Sequence, residues 1–84
     1  MFIVLIEPGS LKKINGLEPF LKQRILEKIR TLGYFPEARA DIKRMRGIEA
    51  VYRLRIGEWR ILFKVYWETK EIVVFDLDTR GRIY

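Results

Sequence analysis

The stretch "YRLRIGEWRILF", Tyr52 to Phe63, alternates on both sides of Gly57-Glu58. Successive side chains of a strand point to opposite faces. Tyr52, Leu54 and Ile56 therefore share one face, and Arg53 and Arg55 share the other. Gly57-Glu58 suits a two-residue link, with glycine first as a type II′ turn requires. That link pairs strand 51–56 with strand 59–67 and sets Arg55 directly opposite Arg60. The pair predicts a β-hairpin with one apolar and one cationic face.

The rest of the chain builds outward from that hairpin. Residues 72–78 form another apolar strand, joined to the hairpin by "ETKE" at 68–71. The opening run "MFIVLIE" has strand length and β-branched content, and places a strand at 2–6. "PGS" at 8–10 breaks it. Ser10 is a candidate cap for a short helix over "LKKIN", with Leu11 and Ile14 on one face. Residues 17–33 carry the strongest helical pattern. Pro19 falls in the first turn, Leu21, Ile25, Ile29 and Leu32 recur at helical spacing, and Gly33 can close the end. Residues 34–50 read as polar and irregular. The expectation is a single domain over 1–84, α+β, in the order β-α-α-β-β-β. An antiparallel sheet is covered on one face by two N-terminal helices.

Composition excludes several chemistries. The 84 residues contain no cysteine and no histidine. Disulfides, thiol nucleophiles and zinc–thiolate sites are absent, and so are the commonest general base and metal ligand. No cofactor or metal is expected. No apolar run approaches the ~20 residues of a membrane span, and the start lacks a basic segment ahead of its apolar run. The expectation is a cytoplasmic protein. Seventeen Lys+Arg against eleven Asp+Glu give a net charge of +6, which points to an anionic partner. A merely well-solvated basic surface is the competing reading.

Arg53, Arg55 and Arg60 sharpen the choice. Directly opposed guanidinium heads ~5 Å apart repel by about 3 kcal/mol at an effective dielectric of ~20, although long side chains splay and reduce this. Such a face is a poor way to stabilise a hairpin. It is a good way to hold phosphate, because the planar arginine fork matches phosphate oxygens. The plainer alternative pairs these arginines with Glu58, Asp76 or Asp78, or leaves them in solvent. The tail "TRGRIY" adds Arg80, Arg82 and Tyr84 beyond the last strand. Tyr84 is the side chain there able to move a proton, from a reference pKa of ~10. Neighbouring cations would lower that value, and the terminal carboxylate would oppose the change. A frayed terminal residue is the alternative. Phosphoryl transfer rests largely on positioning and charge stabilisation, and RNA brings its own 2′-hydroxyl nucleophile.

The stretches "KRMRG" (43–47), "YRLR" (52–55), "EWRILF" (58–63), "IVVF" (72–75) and "RGRIY" (80–84) together resemble the RelE toxins of prokaryotic toxin–antitoxin pairs. The resemblance spans essentially the whole chain. It implies a ribosome-dependent mRNA interferase that cuts message in the ribosomal A site by 2′-hydroxyl attack on the next phosphate, without metal. It also implies a cognate, RelB-like antitoxin that wraps the toxin. Under it, Arg53 and Arg55 orient the RNA and favour the charged nucleophile. Arg60 stabilises the transition-state phosphate, Arg80 serves the leaving oxygen, and Tyr84 stacks on a base and accepts the proton. Lys43, Arg44, Arg46 and Arg82 hold RNA. Many members carry lysine at the positions of Arg53 and Arg55, and the tail spacing also admits Arg82 in the role of Arg80.

Two other functions fit parts of the pattern. A ParE-type toxin that poisons DNA gyrase shares the fold but usually lacks the basic-plus-tyrosine set. A non-enzymatic module binding RNA or an acidic partner would use the same charge without chemistry. Tyr84 separates catalysis from stacking. Tyr84→Phe keeps the ring and should slow mRNA cleavage by about 10-fold or more. Tyr84→Ala should lose a further ~1–3 kcal/mol of base stacking. Single-turnover rates on saturating ribosome complexes measure both.

Overall fold

The computed structural model describes residues 1–37 and 41–79. Its elements run β1 (Ile3–Ile6), α1 (Pro8–Asn15), α2 (Pro19–Arg30), a 3-10 turn (Thr31–Tyr34), β2 (Asp41–Arg44), β3 (Val51–Ile56), β4 (Trp59–Tyr66) and β5 (Glu71–Thr79). The five strands form one sheet in the order β1-β5-β4-β3-β2. β3, β4 and β5 lie within a residue or so of the predicted strands. The α+β layout stands, with two differences. β1 joins the sheet at its edge and runs parallel to β5, so the sheet is mixed. Asp41–Arg44, within the stretch expected to be irregular, forms a further edge strand antiparallel to β3.

The hairpin has the predicted register. Ile56 pairs with Trp59, Arg55 with Arg60 and Leu54 with Ile61. Gly57 has a φ of +59°, and Glu58 is not in the left-handed region. That is the combination a type II′ turn demands, and glycine meets it without steric penalty.

One face of the sheet carries Leu54, Ile56, Ile61, Phe63, Val65, Ile72, Val74 and Leu77, all buried in a core with Ile14, Ile25, Ile29 and Leu32 of the helical layer. The 3.6-residue period of α2 turns Ile25 and Ile29 inward, with Leu21 partly buried against the same core,. At one end of the sheet Phe35 makes edge contacts with Phe2, Tyr52 and Phe63, at centroid distances of 5.8, 5.1 and 6.0 Å.

The helix ends differ from their sequence signals. Glu7, not Ser10, precedes α1, and Pro8 opens it, because a proline at the first position loses no helical hydrogen bond,. Ser10 is buried inside the helix and Leu11 is exposed, leaving Ile14 as the residue facing the core. Glu18 caps α2 by accepting from the N–H groups of Phe20 (2.9 Å) and Leu21 (3.2 Å),. Gly33 lies in the 3-10 turn beyond α2. Its carbonyl accepts from the Phe2 N–H at 2.9 Å, and a Cβ there would stand 3.4 Å from the Phe2 carbonyl oxygen.

Ile25 is fully buried where α2 meets the sheet. Ile25→Ala should cost about 2–5 kcal/mol and Ile25→Val about 0.5–1.5 kcal/mol, read as shifts in the denaturant midpoint at constant slope.

Candidate active site

Helices cover one face of the sheet. The opposite face receives every second residue of β2, β3 and β4, and the registers align them in rows. One row runs Asp41, Arg55, Arg60, Asp78 from β2 to β5. The next runs Lys43, Arg53 and Leu62, and meets β5 at Asp76, where a bulge at Leu62/Phe63 shifts the register. Arg53, Arg55 and Arg60 are therefore neighbours on one open face, at the end of the hairpin nearest Gly57. Directly paired residues of adjacent strands have Cα atoms ~4.5–5.5 Å apart, so guanidinium groups from Arg55 and Arg60 can reach one anion together.

The three arginines differ in surroundings. Arg55 is exposed and forms an ion pair with Asp41, its Nε 2.9 Å from the carboxylate. The sequence had suggested Glu58, Asp76 or Asp78 as partners; Asp41 lay in the stretch read as irregular. Its signal was the short alternation "DIKR", which puts Asp41 and Lys43 on one face and Ile42 on the other,. Arg53 and Arg60 are half-buried, and their Nε atoms are shielded from solvent. Asp76 bonds elsewhere, accepting from Lys13 Nζ of α1 at 3.0 Å. Asp78 stands across from Arg60 and accepts from the Thr79 N–H at 2.7 Å.

The remaining candidates are spread more widely. Lys43 shares the open face and is paired in register with Arg53. Arg44 pairs in register with Tyr52, which places it on the opposite face of β2. Arg46 is exposed in the connection between β2 and β3, at the end of the sheet away from Gly57. Arg80, Arg82 and Tyr84 lie outside the described residues. β5 ends at Thr79, paired with Trp59 beside Arg60.

A half-buried arginine pair on a rigid hairpin is a fixed positive field. Water screens it less than it screens exposed charge, and the paired strands hold the groups in place. Arginine does not deprotonate in proteins, so these groups bind and stabilise charge but do not accept protons.

Over 85 residues the chain is 34% identical to a protein of Methanocaldococcus jannaschii named as toxin RelE1, covering 99% of this chain and 94% of that relative. The chain belongs to the RelE toxin family. No protein-family model matches it. Among solved structures, the RelE of the archaeal RelE–RelB complex from Pyrococcus horikoshii OT3 superposes with a TM-score of 0.81 and 29% identity, over 96% of this chain and 97% of that one. The isolated E. coli RelE toxin has the same fold, with a TM-score of 0.80 over 98% of this chain and 87% of that one, at 17% identity.

The Arg55–Asp41 pair is about half exposed, so it should add little to stability. Asp41→Asn should change the unfolding free energy by no more than ~1 kcal/mol. It should also strengthen anion binding at low salt, which titration with a short single-stranded RNA would measure.

Proposed function

We propose that this RelE-type toxin is the effector of a toxin–antitoxin pair and cuts mRNA in the A site of cytoplasmic ribosomes, without a metal ion. The observation that carries the proposal is the register-fixed placement of Arg53, Arg55 and Arg60 on the open face of the sheet. A ribosome holds the message and can bend it into an in-line geometry. The 2′-hydroxyl then attacks the adjacent phosphate. Negative charge grows on the phosphate oxygens, where Arg60 stabilises it. Arg53 and Arg55 orient the strand and favour the charged form of the nucleophile, and Lys43 extends the track along β2. The proton acceptor and the group serving the leaving oxygen belong to the tail, with Tyr84 and Arg80 in those roles.

Positioning and preorganised charge supply most of the acceleration in such a scheme, and effective molarities in well-oriented systems are large. The fold supports it because the charges stand on paired strands rather than on a mobile loop. The antitoxin is a RelB-like protein. It inhibits by covering the arginine face, and an acidic segment matches that face electrostatically. The RelE of Pyrococcus horikoshii was solved bound to RelB, which supports a partner of this kind.

Adding the protein to ribosomes with a defined A-site codon and mapping the message ends tests the reading. New ends should lie within that codon. Arg60→Ala should lower the rate about 10²–10³-fold, the scale for loss of one preorganised donor. Lys22→Ala, on α2 and remote from the hairpin, should leave it near wild type. If Arg60→Ala cut at the wild-type rate and only associated more weakly, the arginine face would be a docking surface.

A further inference from the structure

The tip of the β3–β4 hairpin meets the helical layer. A Cβ at Gly57 would stand 4.0 Å from Nη1 of Arg24, on α2. Among the described residues, and apart from the chain neighbours of Gly57, no other group comes as near. Arg24 is exposed, and among the described residues it is in no salt bridge. Glu58, the other residue of the turn, is exposed and leaves Arg24 unpaired. Gly57 lies two residues past Arg55, a span of ~7 Å along a strand. Arg24 therefore carries the positive charge of the open face around the end of the hairpin.

One helical turn before Arg24 stands Phe20, which is 85% exposed. Residues four apart on a helix share a stripe, and the exposed Lys28 continues this one. The nearby Glu18 carboxylate is held at the helix end, where it accepts from the N–H groups of Phe20 and Leu21. An aromatic ring left in water adds nothing to the core. A protein hot spot would set such a ring in a packed surface that a rim of contacts seals from water, whereas Phe20 stands out from the first turn of α2 between charged neighbours. Single-stranded RNA fits better, because it takes a cation for its backbone and an aromatic face for a base.

We propose that the Phe20–Arg24 stripe of α2 is a second RNA-binding surface, which holds message outside the segment that is cut; this rests on the ribonuclease reading above. The strand on the arginine row leaves the sheet over its nearest boundary, the Gly57 tip. With no side chain at Gly57 the crossing is unobstructed. A phosphate beyond the tip meets Arg24, and an unpaired base stacks on Phe20. Every base has a π-face, so this contact tolerates any sequence. The stripe thus sets affinity and the path of the strand, and leaves the choice of base to other groups.

RNA length separates the two surfaces. A 2′-O-methyl tetranucleotide resists cleavage and covers the arginine row, and a 2′-O-methyl dodecamer with the same centre also reaches α2. Wild-type protein should bind the dodecamer about 10-fold more tightly, the range of one stacked base. Phe20→Ala should remove that gain and leave tetranucleotide binding within about 2-fold of wild type. Arg24→Gln should flatten the salt dependence of dodecamer binding by about 0.7 in log–log slope, one single-strand phosphate. Tyr34→Ala removes an exposed ring beyond the far end of α2 and should change neither RNA. The substituted side chains are exposed, so each variant should unfold at the wild-type temperature. Equal affinity of the wild type for both lengths, no binding of either, or wild-type behaviour of both variants would overturn the surface. Normal dodecamer binding with weaker association to ribosomes would assign the stripe to ribosomal RNA, and with weaker association to the antitoxin would assign it to protein; either would overturn the proposal. The expected losses on the dodecamer, without a cut in ribosome-bound message, would uphold the surface and overturn the ribonuclease reading instead.

Discussion

Everything on the open face depends on Gly57 and Glu58 being the whole connection between β3 and β4. With period-two alternation, a one-residue slip in pairing exchanges the faces of a strand. Here it would drive Arg53 and Arg55, or Arg60, into the core and expose Leu54 and Ile56, or Ile61 and Phe63. The magnitudes show which effect wins. Repulsion between Arg55 and Arg60 is at most about 3 kcal/mol. Each buried Leu, Ile, Phe or Val contributes about 1.5–3 kcal/mol, and five or more such residues of the hairpin are buried. The core therefore holds the arginines in opposition, and the turn fixes which arginines those are.

The outer strands moderate that opposition without removing it. Asp41 and Asp78 stand at the two ends of the row whose centre is Arg55 and Arg60. Along that row the positive potential is thus centred on the two hairpin strands. Confinement matters for a site that handles one phosphate. A uniformly cationic face would bind a polyanion anywhere along its surface, mostly through counterion release. A bracketed pair gives the anion one preferred position.

The elements most easily read from sequence were those governed by local period. The β3–β4 hairpin, β5 and α2 each announce themselves through alternation or helical spacing, and Gly57 announces the turn. The arginine trio follows from parity alone once the turn length is known. β2 was missed because four residues are too few for a periodic signal within a stretch containing proline, glycine and mixed charge. Asp41 was missed with it, although it is the direct partner of Arg55. The parallel placement of β1 beside β5 was equally hidden, since pairing partners at the two ends of the chain leave no mark in either segment. Ser10 was a reasonable cap by residue type, but Pro8 already satisfied the geometry of a helix start. A cleft lined by Glu7, Val51, Lys64, Tyr66, Val73 and Phe75 could not be seen at all, because its lining comes from three strands and a helix boundary that only the sheet order brings together.

The edge position of β1 has a consequence for how the molecule comes into being. Its sheet partner is β5, the last strand among the described residues. A ribosome synthesising this polypeptide makes β1 first, then the helices, and β1 finds its sheet partner only after β5 has emerged. Long-range parallel pairing of this kind is slow compared with hairpin closure. The sheet therefore stays unfinished until β5 has been made. For a protein whose proposed target is the translating ribosome, the topology delays maturation until β5 has left the machine that makes it.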